Sequence, residues 1–402
     1  MTFFEATCTA PVNIAVVKYW GKRDTTLILP TNSSLSVTLS QDQLHSKTTI
    51  RASADFEAQG GDRLWLNGIE ESIQSNKRLV ACLRETRAQR KAMEQADPAL
   101  PKIHSWAVHI CSENNFPTAA GLASSASGYA CLVYTLAKLY QLPLNASDLS
   151  MVARQGSGSA CRSLFGGFVA WEMGTRDDGL DSRAVQIAPE THWPDLQALI
   201  CVVSDAKKGT SSTEGMQHTV KTSPLLQHRI KEVVPQRMKD MIAAIHAKDF
   251  PRFAELTMQD SNQFHAVCLD TYPPIFYMND ISRAIIRIIT EYNRTGIKAA
   301  YTYDAGPNAV IYAPKENMPE IYALLNHYFP GAVFDDQLGL RNDPRAVAAN
   351  PLPEGFDPKV SPVFAEGAVR RIMHTKADDG PRTLVGEQDS LLNAEGMPKR
   401  LA

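Results

Sequence analysis

The chain has 402 residues, 44% of them hydrophobic and 21% charged, with 41 basic residues against 43 acidic ones. That is too long for one small core and long enough for two domains. A net charge of −2 gives no general argument for nucleic acid or anionic membrane as partner, so a bound anion must be held by a local cluster.

Seven cysteines (Cys8, Cys82, Cys111, Cys131, Cys161, Cys201 and Cys268) lie far apart without a CxxC pair, suggesting neither a zinc site nor a disulfide framework. The N-terminal MTFFEATCTAPVNIAV lacks a basic region followed by a clean apolar run. No uncharged run approaches the ~18–20 residues that span a bilayer. PKRLA at the other end is no strong targeting address. A reducing, cytoplasmic setting is expected.

In chain order, residues 7–17 and 33–40 read as strands, joined by a polar connection carrying Lys18, Lys22 and Arg23. KTTIRAS and DRLWLNGIE continue the strand pattern, and LNGIE predicts a hairpin turn. Residues 76–95 predict an amphipathic helix with Leu79, Cys82, Leu83 and Thr86 on one face. WAVHICSEN alternates like a strand and leads to a helix over 124–139 that is apolar on most sides, hence central. LSMVARQGS predicts another helix, and SACRSLFGGFVAWEMG a helical turn running into a strand. APETHWPD is a plausible domain connection, before the buried strand LQALICVVSDA. Helices follow at about 223–247, interrupted by Pro235, then at about 249–268 and 280–293. AAYTYDAGPNAVIYA reads as strand, turn, strand, and PEIYALLNHYF as a helix. Residues 331–361 are expected to form a loop or insertion, and the tail beyond about 376 to be poorly structured. The sum is two α+β domains, 1–190 and 191–402.

Four clusters could carry chemistry. NNFPTAAGLASSASGY, at a strand-to-helix junction, combines Pro117, Gly121, short Ala119, Ala120 and Ala123, and the capping hydroxyls Ser124 and Ser125. A ligand could approach such a main chain closely, and a helix start favours phosphate. No Lys follows the glycine, so it is not a P-loop; equally, small residues let a central helix pack closely. APVNIAVVKYWGKRD gathers Asn13, Lys18 and Lys22 around Tyr19 and Trp20, which suits a polyanion or simply a solvated basic loop. RQGSGSACRSLFGGF sets Ser157 and Ser159 about Gly158, with Arg162 able to grip phosphate or carboxylate, or forms a polar cap. In YTYDAGPNAV, Asp304 lies between apolar runs and needs a cationic partner or a job; otherwise it shapes a turn. KKGTSSTEGMQ is a weaker, hydroxyl-rich helix start. Asp260, Ser261, Asn262 and His265 mimic a hydrolase constellation, but no G-x-S-x-G elbow accompanies them.

Together with LPTNSSLSVTLS and MQDSNQFHAVCLDTYPPIFYMND, these segments resemble the eukaryotic diphosphomevalonate decarboxylase family of the GHMP superfamily, from about residue 5 to residue 330. The resemblance implies a ribosomal-protein-S5-like N-terminal half and a ferredoxin-like C-terminal half with the site between them. It implies ATP and Mg2+, a homodimer, and decarboxylation of (R)-5-diphosphomevalonate. Carried over, Asn115, Pro117, Ala120, Gly121, Leu122, Ala123, Ser124 and Ser125 match the ATP loop, with no metal ligand assigned beyond a role for Ser124. Asn13, Tyr19, Trp20, Gly21, Lys22, Arg78, Ser157, Gly158, Ser159, Ala160, Cys161, Arg162, Ser212 and Met216 match the substrate site. Lys18, Arg162 and Asp304 match the catalytic residues. The acid in YDAGPNA, where related kinases are glycine-rich, favours the decarboxylase over a kinase that stops at a phosphorylated alcohol. A non-catalytic ligand sensor is the third reading.

Overall fold

The computed structural model describes residues 2–116, 124–203 and 209–401. The first half holds β1 (Phe3–Pro11), β2 (Asn13–Val17), β3 (Lys22–Asp24), β4 (Leu29–Pro30), β5 (Ser34–Thr38), β6 (His45–Ser53), β7 (Arg63–Leu66), β8 (Ile69–Glu71), α1 (Lys77–Ala96), β9 (Ala107–Asn114), α2 (Ser124–Leu139), α3 (Ala146–Gly156), β10 (Phe168–Trp171) and β11 (Ala184–Ala188). The second holds β12 (Leu196–Val202), α4 (Ser212–Thr222), α5 (Pro224–His228), α6 (Val234–Ala247), α7 (Phe250–Asp270), α8 (Asp280–Tyr292), β13 (Ala300–Tyr303), β14 (Ala309–Pro314), α9 (Met318–Tyr328), β15 (Val333–Asp335), β16 (Arg371–Lys376) and β17 (Arg382–Leu384).

The single strand expected over 7–17 is two strands in different sheets. β1 pairs with β6, whereas β2, beyond Val12, pairs with β5. The first sheet runs β17-β1-β6-β9-β7-β8 and the second β11-β10-β5-β2. At the β7–β8 turn, Asn67 (φ 49°) and Gly68 (φ 82°) both take positive φ, as a two-residue hairpin turn requires. Helix α2 packs on the first sheet with Ala130, Cys131, Val133 and Leu136 fully buried, which its nearly all-round apolar sequence demanded.

The third sheet runs β13-β14-β12-β16-β15 under α6, α7, α8 and α9. One apolar core joins the halves: Ile14, Val16 and Leu35 belong to the same cluster as Leu199, Met241, Phe253 and Tyr312. Between α5 and α6 the chain makes a π turn, Arg229–Val233. Pro235 sits in the first turn of α6, where its missing N–H costs little. The break therefore falls ahead of the proline rather than at it.

Within 331–361, three 3-10 turns follow the short β15. The tail is ordered, contrary to expectation. β17 pairs with β1 at the edge of the first sheet, and Leu392 packs with Trp65 and Cys111. Arg51 Nη1 donates to the carbonyls of Asn393 and Ala394. The polar, glycine-containing sequence hid this order because each short piece is stabilised by residues far away in the chain. Among the described residues no helix is long and apolar enough to cross a membrane.

Candidate active site

β2 ends at Val17, so the next residues leave the sheet at the junction between the halves. Lys18 is buried, and its Nζ lies 2.6 Å from Asp304 Oδ1, on the turn between β13 and β14. That turn closes with a 2.8 Å bond from the Gly306 amide to the Asp304 carbonyl. The main chain of Lys18 is also held: its N–H donates to Asp260 Oδ2 at 2.7 Å, and its carbonyl accepts from Asn32 Nδ2 and Arg229 Nη2.

A cleft surrounds this pair, lined by Asn13, Lys18, Tyr19, Trp20, Lys22, Arg78, Ser125, Ser157, Gly158, Ser159, Arg162, Ser212, Met216 and Asp304, with Ala15, Thr213, Phe264 and Ala305. Residues from both halves, singled out separately in the sequence, thus meet in one place. Trp20 anchors its segment by donating from Nε1 to Thr219 Oγ1 at 3.0 Å and packing edge-on against Phe264. Tyr19 packs edge-on against Trp171, and its buried hydroxyl has no protein partner. Burial pushes its phenol pKa up, so it faces the cleft as a neutral hydroxyl. Burial, then the neighbouring Arg78, lowers Lys22 to about 8. Arg78, at the start of α1, reaches α4 by donating to Thr213 Oγ1 at 3.0 Å.

The Ser157 turn continues as a 3-10 helix, Gly158–Leu164. A side chain at Gly158 would meet Trp171 and Tyr19 at 2.9 Å, so glycine is required for close packing. Arg162 is buried and aimed by three neighbours: Nε donates to Ser36 Oγ (2.9 Å) and Asn13 Oδ1 (3.3 Å), and Nη1 to Ser34 Oγ (2.6 Å). Gly21, Ala160 and Cys161 do not line the cleft. Gly21 takes φ +98° against Thr31, and Cys161 packs with Val169 and Trp171. Ser36 and Ser34 were not foreseen, although their alternation on β5 already placed both hydroxyls on one face.

Ser125, on the first turn of α2, lies 3.3 Å from Ser157 across the cleft. It also borders a second, more apolar cavity formed by Leu64, Leu66, Ile69, Leu79, Tyr129 and Leu132, which Ser124 lines too. Asn115 stands apart, accepting from the His45 amide and donating to the Gln43 carbonyl. Pro117, Ala120, Gly121, Leu122 and Ala123 lie outside the described residues. Among the described residues no three His, Cys, Asp or Glu side chains converge as a metal cluster.

The hydrolase mimic dissolves. Asp260 points to Lys18 and not to His265; His265 is buried beside Lys18 and Asp304, and burial, with Lys18, lowers it to about 4, so it is neutral. Asp260 is fully buried; burial opposes its charge, but Arg229 and Arg237 outweigh this and hold it below the usual carboxylate range.

Two α+β halves enclosing a cationic cleft beside a helix start define a GHMP-kinase-like fold. Residues 10–184 match the diphosphomevalonate decarboxylase-like N-terminal domain, and residues 198–384 the mevalonate 5-diphosphate decarboxylase C-terminal domain. The chain belongs to the diphosphomevalonate decarboxylase family. It is 62% identical to the diphosphomevalonate decarboxylase of Ganoderma lucidum, over 99% of this chain and 100% of that one. It is 53% identical to that of Rattus norvegicus, over 98% and 97%. Its structure superposes on the Trypanosoma brucei mevalonate diphosphate decarboxylase with a TM-score of 0.87 at 40% identity, over 97% and 100% of the chains. A structure described as MDDEF in complex with MVAPP, AMPPCP and magnesium matches at a TM-score of 0.73 and 31% identity, over 96% and 100%.

Proposed function

We propose that this chain catalyses ATP-dependent decarboxylation of (R)-5-diphosphomevalonate to isopentenyl diphosphate, CO2, ADP and phosphate. The observation that carries the reading is the 2.6 Å Lys18–Asp304 contact inside a cleft lined by Lys22, Arg78 and Arg162. Those three cations suit the diphosphate and carboxylate of the substrate, with the Tyr19 hydroxyl and the Ser157–Ser159 turn completing the cradle. ATP phosphates belong at the start of α2, where Ser125 borders both cavities and Ser124 lines the apolar one, and the nucleoside in the apolar one. Bound Mg2+ would neutralise charge on the ATP phosphates, and the Ser124 hydroxyl at the start of α2 would be the residue to hold it.

Asp304 accepts the proton of the tertiary 3-hydroxyl as its oxygen attacks the γ-phosphorus and the bond to ADP breaks. Lys18 offsets charge on the transferring group, since phosphoryl transfer is mainly positioning and electrostatics. The C3–O bond then breaks, and the leaving phosphate takes the proton from Asp304, which is again a carboxylate. The electron pair of the carboxylate carbon–carbon bond becomes the double bond, and CO2 departs. The Asp304 carboxylate faces the developing positive charge. A homodimer, checked by light scattering as twice the chain mass, and a cytoplasmic setting complete the proposal.

The test is a coupled assay with (R)-5-diphosphomevalonate, Mg2+ and ATP that counts CO2, ADP and phosphate. Equal yields are expected; ADP without CO2 would make the chain a kinase. Lys22 adds a pH signature. It is an ammonium below about 8 and neutral above, so KM for diphosphomevalonate should rise above pH 8. The rise should reach about tenfold, the worth of one charge-assisted hydrogen bond, while kcat changes little. In Lys22→Arg that inflection should vanish.

A further inference from the structure

We infer that helix α7 is the positioning element for the Lys18–Asp304 pair, holding the main chain at both residues' segments through two consecutive side chains, Asp260 and Ser261. The inference rests on the proposed roles of Lys18 and Asp304. Asp260 Oδ2 accepts the Lys18 amide at 2.7 Å, and Ser261 Oγ accepts the Tyr303 amide at 3.0 Å, one residue before Asp304. Adjacent positions on a helix are fixed relative to each other by its rise and rotation. The separation between the end of β2 and the β13–β14 turn is therefore set by one rigid helix, although Lys18 and Asp304 are 286 residues apart in the chain.

The rest of the constellation points the same way. Arg229 pairs with both oxygens of Asp260 at 2.9 Å, and its Nη2 also donates to the Lys18 carbonyl at 3.1 Å. Carboxylate and guanidinium thus hold the N–H and the C=O of the same residue. Arg229 stands in the π turn Arg229–Val233, the local widening that interrupts the α5–α6 helical run. Arg237 closes the back of the network at 2.9 Å from Asp260 Oδ1. A fully buried ion pair is poor value as plain stabilisation, because well-packed apolar residues of similar volume often do as well. Here its hydrogen bonds are directed at the main chain of a residue in the cleft. Neither Asp260 nor Ser261 lines that cleft, so both act through Lys18 and Asp304.

The experiment measures steady-state constants for the full chain carrying Ser261→Ala or Asp260→Asn, against Ile321→Val in the core face of α9 as a stability-matched control. Small displacements of reacting groups cost up to about a hundredfold. Both α7 variants should therefore lose about ten- to a hundredfold in kcat, with KM for ATP and diphosphomevalonate within about twofold. Ile321→Val, for a comparable fall in Tm, should keep kcat. An unchanged kcat in Ser261→Ala, a loss confined to KM, or an equal loss in Ile321→Val would overturn the inference. If Asp260→Asn does not fold, Ser261→Ala decides alone. Asp304→Asn in the same assay separates the two levels: full turnover there removes the reading of the pair itself, whatever α7 does.

Discussion

Asp304→Asn is expected to lower kcat by about 10²–10⁴-fold, the contribution of a well-placed general base. The amide keeps the shape of the carboxylate and an oxygen for Lys18 Nζ, but it neither accepts the hydroxyl proton nor offers negative charge to the carbon that loses phosphate. KM for both substrates should stay within a few fold, because the diphosphate cradle of Lys22, Arg78 and the Ser157–Arg162 turn is untouched. CO2 and ADP should fall together. ADP release at the original rate with CO2 lost would confine Asp304 to the second half of the reaction. A kcat within tenfold of the original would remove it from the chemistry.

The second large effect is at Arg162. Its guanidinium is buried and aimed by Ser34, Ser36 and Asn13 through three bonds that one ammonium cannot make together. Arg162→Lys should therefore lose the planar fork toward substrate and leave buried hydroxyls without a donor. Charge-assisted bonds of this kind are worth about 1.5–3 kcal/mol each. The expected result is a loss of about 10²–10³-fold in kcat/KM for diphosphomevalonate, with the affinity for ATP, read by nucleotide titration, unchanged. Equal weakening of both ligands would show a general collapse of the cleft.

The elements legible in the sequence are those whose stabilising contacts are local. The extent of α2 follows from a run that is apolar on most sides, and the β7–β8 hairpin from Asn67–Gly68. What escaped depends on distant partners. The strand over 7–17 divides at Val12 because each part finds a different neighbour, and β15 and β17 are three-residue strands that exist only by pairing with β16 and β1.

The site follows the same rule. Lys18 stood out in a basic cluster after a strand, Arg162 behind a Ser-Gly-Ser turn and Asp304 between apolar runs, and the cleft gathers them. Asp260 was equally odd, a carboxylate on the buried stripe of α7 between Leu256 and Phe264. Its partner Lys18 lies 242 residues away, and no spacing in the sequence could announce it. Asn115, read as part of the phosphate loop, bonds to His45 and Gln43.

The return of the tail bears on how the chain is made. One edge strand of the first sheet is supplied by Arg382–Leu384, which leave the ribosome long after their partners Thr7, Cys8 and Thr9. Throughout synthesis β1 exposes an unpaired edge, and Trp65 and Cys111 wait for the cover of Leu392. The entropy of closing so long a loop grows only with the logarithm of its length, so the finished protein bears the arrangement easily. The nascent chain does not share that ease: the first half of the molecule is born incomplete and is sealed by a segment translated long after it.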